Sequence, residues 1–220
     1  MSLIRAAVGR GHPERVAVVA AELARRRPAH YLEIGVGSGV VFLHVRAERK
    51  VGVDPAPRIP RWKWALHPNS LIRGSFFRTA SERFFDALEP DRTFDVIFID
   101  GDHSFAQSRR DVDRALGHLA PDGVILVHDC NPPTAASASP DSADARGGPW
   151  CGEVYKTIVE LRARRPDLAV ETIPADFGIG LVRRGESETL DLGPGAIETL
   201  TWADLDRDRA RLLGLREPPV

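Results

Sequence analysis

Apolar and polar positions alternate between two periods along this 220-residue chain, and the alternation itself predicts a layered α/β domain. Residues 13–27, PERVAVVAAELARRR, carry apolar side chains at helical spacing. Pro13 and Glu14 suit a first turn, and the run Arg25, Arg26, Arg27 suits the negative end of the helix dipole rather than a phosphate patch. Short β-rich runs follow at 30–34, 49–53, 69–73, 94–99, 123–127, 168–173 and 178–183. Between them the pattern predicts helices at about 39–47, 79–89, 104–119 and 152–165. Strands alternating with helices imply parallel order and right-handed crossovers, and the continuous apolar runs at 96–99 and 124–127 suit strands buried on both faces. The last two runs are joined only by the short PADFG connection, which predicts a hairpin and one antiparallel strand. The expected fold is Rossmann-like and doubly wound, a seven-stranded mostly parallel sheet with an antiparallel C-terminal hairpin strand.

Two segments escape the pattern. Residues 132–149, PPTAASASPDSADARGGP, are small and polar and leave the carboxyl edge of strand five, which favours a lid over an inert linker. Residues 55–70, PAPRIPRWKWALHPNS, hold Pro55, Pro57 and Pro60, which argue against regular helix. Arg58, Arg61 and Lys63 interleave there with Trp62 and Trp64, either to stack an acceptor or to anchor a surface loop. Acceptor specificity is expected in the loops 55–68 and 132–150 and in the amino-terminal segment. The organisation expected is one domain over 1–184 and a tail, 185–220, whose residues 201–216 form a helix capped by Thr201. Trp202, Leu205, Leu212 and Leu213 would pack that helix on the body or on a second copy, so a homodimer is compatible with the pattern.

Composition narrows the partners. Thirty Lys plus Arg against 31 Asp plus Glu leave a net charge of −1, which gives no bulk attraction to nucleic acid or to an anionic membrane. A small-molecule acceptor fits that balance. The two cysteines, Cys130 and Cys151, form no CxxC pair, no secretory apolar region opens the chain, and no run reaches the roughly 20 apolar residues of a membrane span. A reduced, cytoplasmic location is the expectation.

The candidate chemistry begins at YLEIGVGSGV, residues 31–40. A strand carrying Glu33 runs into Gly35, Gly37 and Gly39, and a second strand ends on Asp54, placed to accept ribose hydroxyls. Val40 stands where a GxGxxG dinucleotide fingerprint needs its third glycine, so a nicotinamide site is disfavoured. Two further strand ends, FDVIFIDGDH (94–103) and VILVHDCN (124–131), concentrate Asp100, Asp102, His103, His128, Asp129 and Asn131. In a parallel sheet these ends open onto the cleft that the glycine turn faces.

These motifs resemble class I S-adenosylmethionine (SAM) methyltransferases. IDGDHSF, HDCNPP and WCGEVYK together resemble a bacterial group with GDHSY-like and HD-like motifs, distantly related to catechol-type O-methyltransferases, over most of residues 28–184. The resemblance implies that Glu33 orders the loop and that Glu33, Gly35, Gly37, Gly39, Asp54, Ser75 and Asp100 bind SAM, with Gly74 and Ser75 near the adenine. In the catechol-type enzymes two acids and an Asn hold a divalent cation. Asp100 and Asp129 match the acids, Cys130 falls on the third ligand position, and Asn131 supplies an amide one place later. Whether Mg2+ or another divalent cation takes part is open at this stage. The resemblance puts the family's lysine base at His103, and an imidazole, unlike an unperturbed lysine, is suited to take a hydroxyl proton. His128 is a second candidate. The expected function is SAM-dependent O-methylation of a small molecule with His103 as general base. The alternatives are a SAM-binding module without catalysis and methyl transfer to a non-oxygen acceptor.

Overall fold

The computed structural model describes residues 13–216, so the amino-terminal segment to which specificity and the missing secretory signal were assigned lies outside the described residues. Helix α1 (Glu14–Arg25) buries Val16, Val19 and Leu23 along one stripe, starts after Pro13 and is followed by Pro28. Arg25 and Arg26 both turn back to Glu22, and Arg26 Nε also donates to the Asp122 carbonyl at 2.8 Å, so the arginine run is a helix end as expected.

Seven strands form one sheet: β1 (His30–Ile34), β2 (Arg49–Val53), β3 (Gly74–Phe77), β4 (Phe94–Ile99), β5 (Leu119–Val127), β6 (Leu168–Ile173) and β7 (Ile179–Arg184), in the order β3-β2-β1-β4-β5-β7-β6. Pairs β1·β2, β1·β4 and β2·β3 are parallel, whereas β6 and β7 are antiparallel, as the short PADFG connection predicted. The remaining helices are α2 (Arg61–Ala65), α3 (Pro68–Arg73), α4 (Ser81–Asp86), α5 (Phe105–Gly117), α6 (Val154–Arg164), α7 (Trp202–Arg207) and α8 (Arg209–Leu213). None of the helices among the described residues is long and apolar enough to cross a membrane.

Four expectations fail locally. Residues 69–73 are not a strand: Pro68 stands in the first turn of α3, which runs through them, and the third strand begins only at Gly74. Helix is also present where the prolines argued against it, because Pro60, extended at ψ 141°, precedes α2 and leaves Arg61–Ala65 unbroken. The helix expected over 39–47 is a chain of turns. Lys50, 1% exposed, donates from Nζ to the carbonyls of Phe42 and Val45 and to Ser70 Oγ (2.6 Å), taking acceptors that a helix would use for itself. The terminal helix is likewise two short ones, interrupted at Asp208 (φ −136°), with Thr201 and Asp204 forming a capping box at its start.

The chain divides into two compact units, one running to Gly101 and including Asp111–Leu126, the other formed by Asp102–Arg110 and the chain from Val127 onward. In the first, Tyr31, Leu32, Phe42, Phe94, Ile97 and Phe98 are fully buried. Trp64 meets Phe42 and Phe76 edge-on at 5.9 and 6.0 Å, so this tryptophan anchors its loop, while Trp62 remains 62% exposed. In the second unit, Ile158, Leu161, Leu168 and Ile179 are the core of the hairpin and α6. The polar 132–149 segment is pinned there: the Ser137 carbonyl accepts the Cys151 and Gly152 amides at 2.8 and 3.0 Å, and Trp150 Nε1 donates to the Ser139 carbonyl.

Candidate functional site

The first unit holds the glycine turn. Gly35 (φ +83°) follows β1, and a Cβ there would lie 2.1 Å from the Asp100 carbonyl oxygen, so the backbone at the ends of β1 and β4 touches where only hydrogen fits. Gly37 (φ +53°) has nothing within 4 Å of its missing Cβ, which leaves the turn open above it. Asp54, at the end of β2, accepts from the Gly37 amide through Oδ2 and from the Ala56 amide through Oδ1, each at 2.7 Å. Both bonds brace the turn, and each carboxylate oxygen keeps a further lone pair for a hydroxyl ligand.

Glu33 lies inside this half at 1% exposure, accepting from the Tyr31 hydroxyl at 2.6 Å. Burial pushes its carboxyl up to about 8, with the Tyr31 hydrogen bond opposing and the Asp100 charge adding. Lys50 is pushed down to about 8, also by burial, against the attraction of Glu33. Glu33 therefore belongs to a buried polar set beneath the strand rather than to an open surface. Ser75 is the second residue of β3, opposite Val51, and is exposed. The expectation that it follows the third strand fails with the misplaced strand; the carboxyl end of β3 is Phe77, whose carbonyl accepts the Asp54 amide at 3.1 Å.

The second unit gathers imidazoles and acids. His103 stacks on Trp150 (centroids 4.8 Å apart, planes 23° apart) and places Nδ1 3.0 Å from the Trp150 carbonyl. Because a carbonyl only accepts, that contact puts the neutral ring's proton on Nδ1 and the lone pair on Nε2. His103 Nε2 is 3.4 Å from Asp129 Oδ2, and the same oxygen is 3.1 Å from His128 Nδ1. On the far side, His128 Nε2 lies 3.7 Å from Asp176 Oδ2.

Main-chain conformation sets this arrangement. Asp129 (φ 61°), Asp176 (φ 48°) and Phe177 (φ 64°) are non-glycine residues in the left-handed region, a cost of order 1–3 kcal/mol each that the surrounding structure must sustain. The hairpin connection supplies part of that support: the amides of Cys130 and Asn131 donate to the carbonyls of Gly178 and Phe177 at 3.2 and 2.7 Å. Gly152 (φ +58°) presses against His103, where a Cβ would lie 2.3 Å from the His103 carbonyl oxygen. Sequence reasoning missed Gly152 and Asp176 as site residues. The WCG tripeptide was visible as a motif, whereas Asp176 sat in a connection read only as a hairpin turn.

One proposed cation ligand, Asn131, changes character here, and Cys130 beside it is no ligand, as expected. The side-chain oxygen of Asn131 accepts from the Arg209 guanidinium, a strong donor that competes with any cation for it. The buried Cys130 thiol is pushed upward by burial and donates to the Val127 carbonyl at 3.0 Å, so it is no thiolate ligand.

Residues 32–130 match the family model described as a methyltransferase domain. No curated protein matches the chain. Among solved structures, the SAH-bound methyltransferase PaMTH1 of Podospora anserina is similar at a TM-score of 0.60 and 20% identity, over 79% of this chain and 79% of that one. The O-methyltransferase of Bacillus cereus in complex with SAH matches at 0.54 and 18%, covering 77% and 78%. TomG of Streptomyces achromogenes, an O-methyltransferase of tomaymycin synthesis in complex with SAM, matches at 0.54 and 17%, covering 77% and 79%. The likeness to these structures is one of fold, and the segment matched by the methyltransferase-domain model takes in the glycine turn, Asp54, Asp100, His103 and Asp129.

Proposed function

We propose that the chain transfers the methyl group of SAM to an oxygen of a small-molecule acceptor, with His103 taking the acceptor's proton. The observation that carries this reading is the His103 geometry: Nδ1 is committed to the Trp150 carbonyl and Nε2 faces the Asp129 carboxylate at 3.4 Å. The donor half supports it as well, since the turn is open above Gly37 and Asp54 offers hydroxyl-accepting lone pairs. Gly35, Gly37, Gly39, Asp54 and Asp100 would hold SAM, with Glu33 bracing from beneath. When bound, SAM supplies an activated methyl on a sulfonium, so the protein need only position and deprotonate.

The steps of this chain's own residues are few. His103 Nε2 accepts the hydroxyl proton and becomes an imidazolium, and Asp129 beside it stabilises the new charge. His128, shared with Asp129 and Asp176, orients that carboxylate. Trp150 fixes the imidazole plane, which limits the rotamer entropy lost on reaching the reactive geometry.

A second reading is favoured by one observation within the second unit, the donor set His103 and Asp129, whose Nε2 and Oδ2 lie 3.4 Å apart and whose types suit a divalent cation. An imidazole among carboxylates suits manganese, iron or zinc better than magnesium, and Arg209 holds Asn131 away from that set. A His103 bound to a cation has no lone pair left for a proton, so the two readings exclude one another.

The test uses the full chain, radiolabelled SAM and a panel of hydroxyl-bearing small molecules. His103→Ala should cut kcat by about 10²–10⁴ while leaving the SAH dissociation constant, read by calorimetry, within about twofold. SAH binding without turnover of any acceptor would reduce the chain to a SAM-binding module. Turnover abolished by EDTA and restored by Mn2+ would give His103 to the cation.

A further inference from the structure

A cavity of about 360 Å³ lies at the amino-terminal ends of β2 and β3, with Arg49, Arg73, Arg92, Ser75, Glu48 and Ile72 among its walls. It is within the first unit but at the opposite end of these parallel strands from the glycine turn, so it is not the donor site. Its volume falls in the range of small-molecule sites.

Strand alternation explains why the cavity is cationic. Lys50 projects its ammonium to the buried face, onto the Phe42 and Val45 carbonyls. Arg49 and Val51 therefore point to the other face, beside Ser75 in the β2·β3 register. Arg73 is paired with Glu48. Arg49 and Arg92 have no acidic partner among the described residues, and Arg92 is held over the Phe94 ring, 5.4 Å from its centroid. Three arginines and a single carboxylate line this concave surface, a net positive charge that attracts an anion.

We propose that this cavity binds the phosphate group of a small anionic ligand. Guanidinium forks match the oxygens of a phosphate, and the Ser75 hydroxyl adds a donor. Ile72, 75% exposed, forms an apolar flank for the carbon portion of a phosphate ester. The Glu48 carboxylate and the overall charge of −1 disfavour a long polyanion and restrict the site to a small ligand.

The experiment is calorimetry on the full chain at low ionic strength with inorganic phosphate, pyrophosphate and glycerol phosphate as probes, on the parent and on Arg49→Gln, Arg92→Gln and the double variant. Saturable binding of at least one probe is expected, weakened about tenfold by either single change, as loss of one charge-assisted hydrogen-bonding group implies. Thermal midpoints within a few degrees of the parent show that the variants fold. A glycerol phosphate affinity above that of inorganic phosphate supports a phosphate ester, and the reverse supports a free phosphate. No saturable heat with any probe, or binding that both arginine changes leave untouched, overturns the proposal.

Discussion

Replacing Gly35 by alanine tests the physical basis of the donor half more sharply than any change of a charged group. The new Cβ would sit 2.1 Å from the Asp100 carbonyl oxygen and 2.5 Å from the Gly101 Cα, both backbone atoms that cannot rotate away. The residue would also have to hold φ near +83°, which costs an L-residue about 1–2 kcal/mol. Relieving the overlap requires the ends of β1 and β4 to part, at an overpacking cost of about 1–3 kcal/mol. It also strains the Asp100 amide bond to the Ile34 carbonyl at 2.8 Å, worth about 1 kcal/mol. The expected loss is about 3–6 kcal/mol, a large share of the 5–15 kcal/mol that holds a typical domain. Gly37→Ala is the control: its φ is +53° with open space around the new methyl, so only the conformational cost of about 1–2 kcal/mol applies. Urea denaturation followed by circular dichroism gives both numbers. Equal losses for the two variants, within about 0.5 kcal/mol, would show that the close approach of β1 to β4 is not what Gly35 provides.

Three other changes probe different parts. Asp54→Ala removes the acceptor of the Gly37 and Ala56 amides, and calorimetry should show SAH affinity falling about 10–100-fold, with an unchanged affinity counting against Asp54 as a brace or a ligand group. Gly152→Val drives a side chain into the His103 carbonyl, so kcat should fall at least about tenfold while the SAH dissociation constant stays put. Glu33, with its folded pKa pushed up to about 8, binds its proton more tightly folded than unfolded. Its contribution is therefore full below about pH 4.5 and declines as pH rises from there to about 8, by up to a few kcal/mol. In urea titrations at stepped pH, Glu33→Gln should flatten that decline, and a parent whose stability rises across the window would refute the assignment.

The sheet was legible because its strands write short β-rich runs, continuous and apolar at 96–99 and 124–127, and β1, β2, β4 and β6 stand where such runs predicted. The errors share a physical cause: a local pattern was overruled by a distant partner. Nothing around residues 39–47 announces that a lysine further on will claim the carbonyls of Phe42 and Val45, yet that contact converts an apolar helical pattern into turns. The third strand was misplaced because Leu71 and Ile72 look like strand residues, although both are exposed on α3, where Pro68 starts a helix. In the candidate site, residue types at strand ends pointed to His103 and Asp129, which the fold brings within 3.4 Å of one another. What the types could not reveal was main-chain shape. The left-handed turn at Asp176 and Phe177 and the pressure of Gly152 on His103 depend on tertiary contact alone.

The missing helix after Gly39 bears on which ligand the turn accepts. A dinucleotide site draws on the positive end of a regular helix to hold a pyrophosphate, and residues 39–47 offer turns instead. In the place of that dipole stands the Asp54 carboxylate, bonded to the Gly37 amide at 2.7 Å, so the turn spends an N–H donor on the protein's own anion. A site that consumes its amide donors internally and presents carboxylate lone pairs repels phosphates and welcomes hydroxyl donors and cations. The SAM proposed above would bring two ribose hydroxyls, an ammonium and a sulfonium, and no phosphate, a charge pattern that suits such a turn. The preference for phosphate proposed at the opposite strand ends is consistent with the same division, because there arginines line the cavity, while the Lys50 ammonium is spent on the Phe42 and Val45 carbonyls and Ser70.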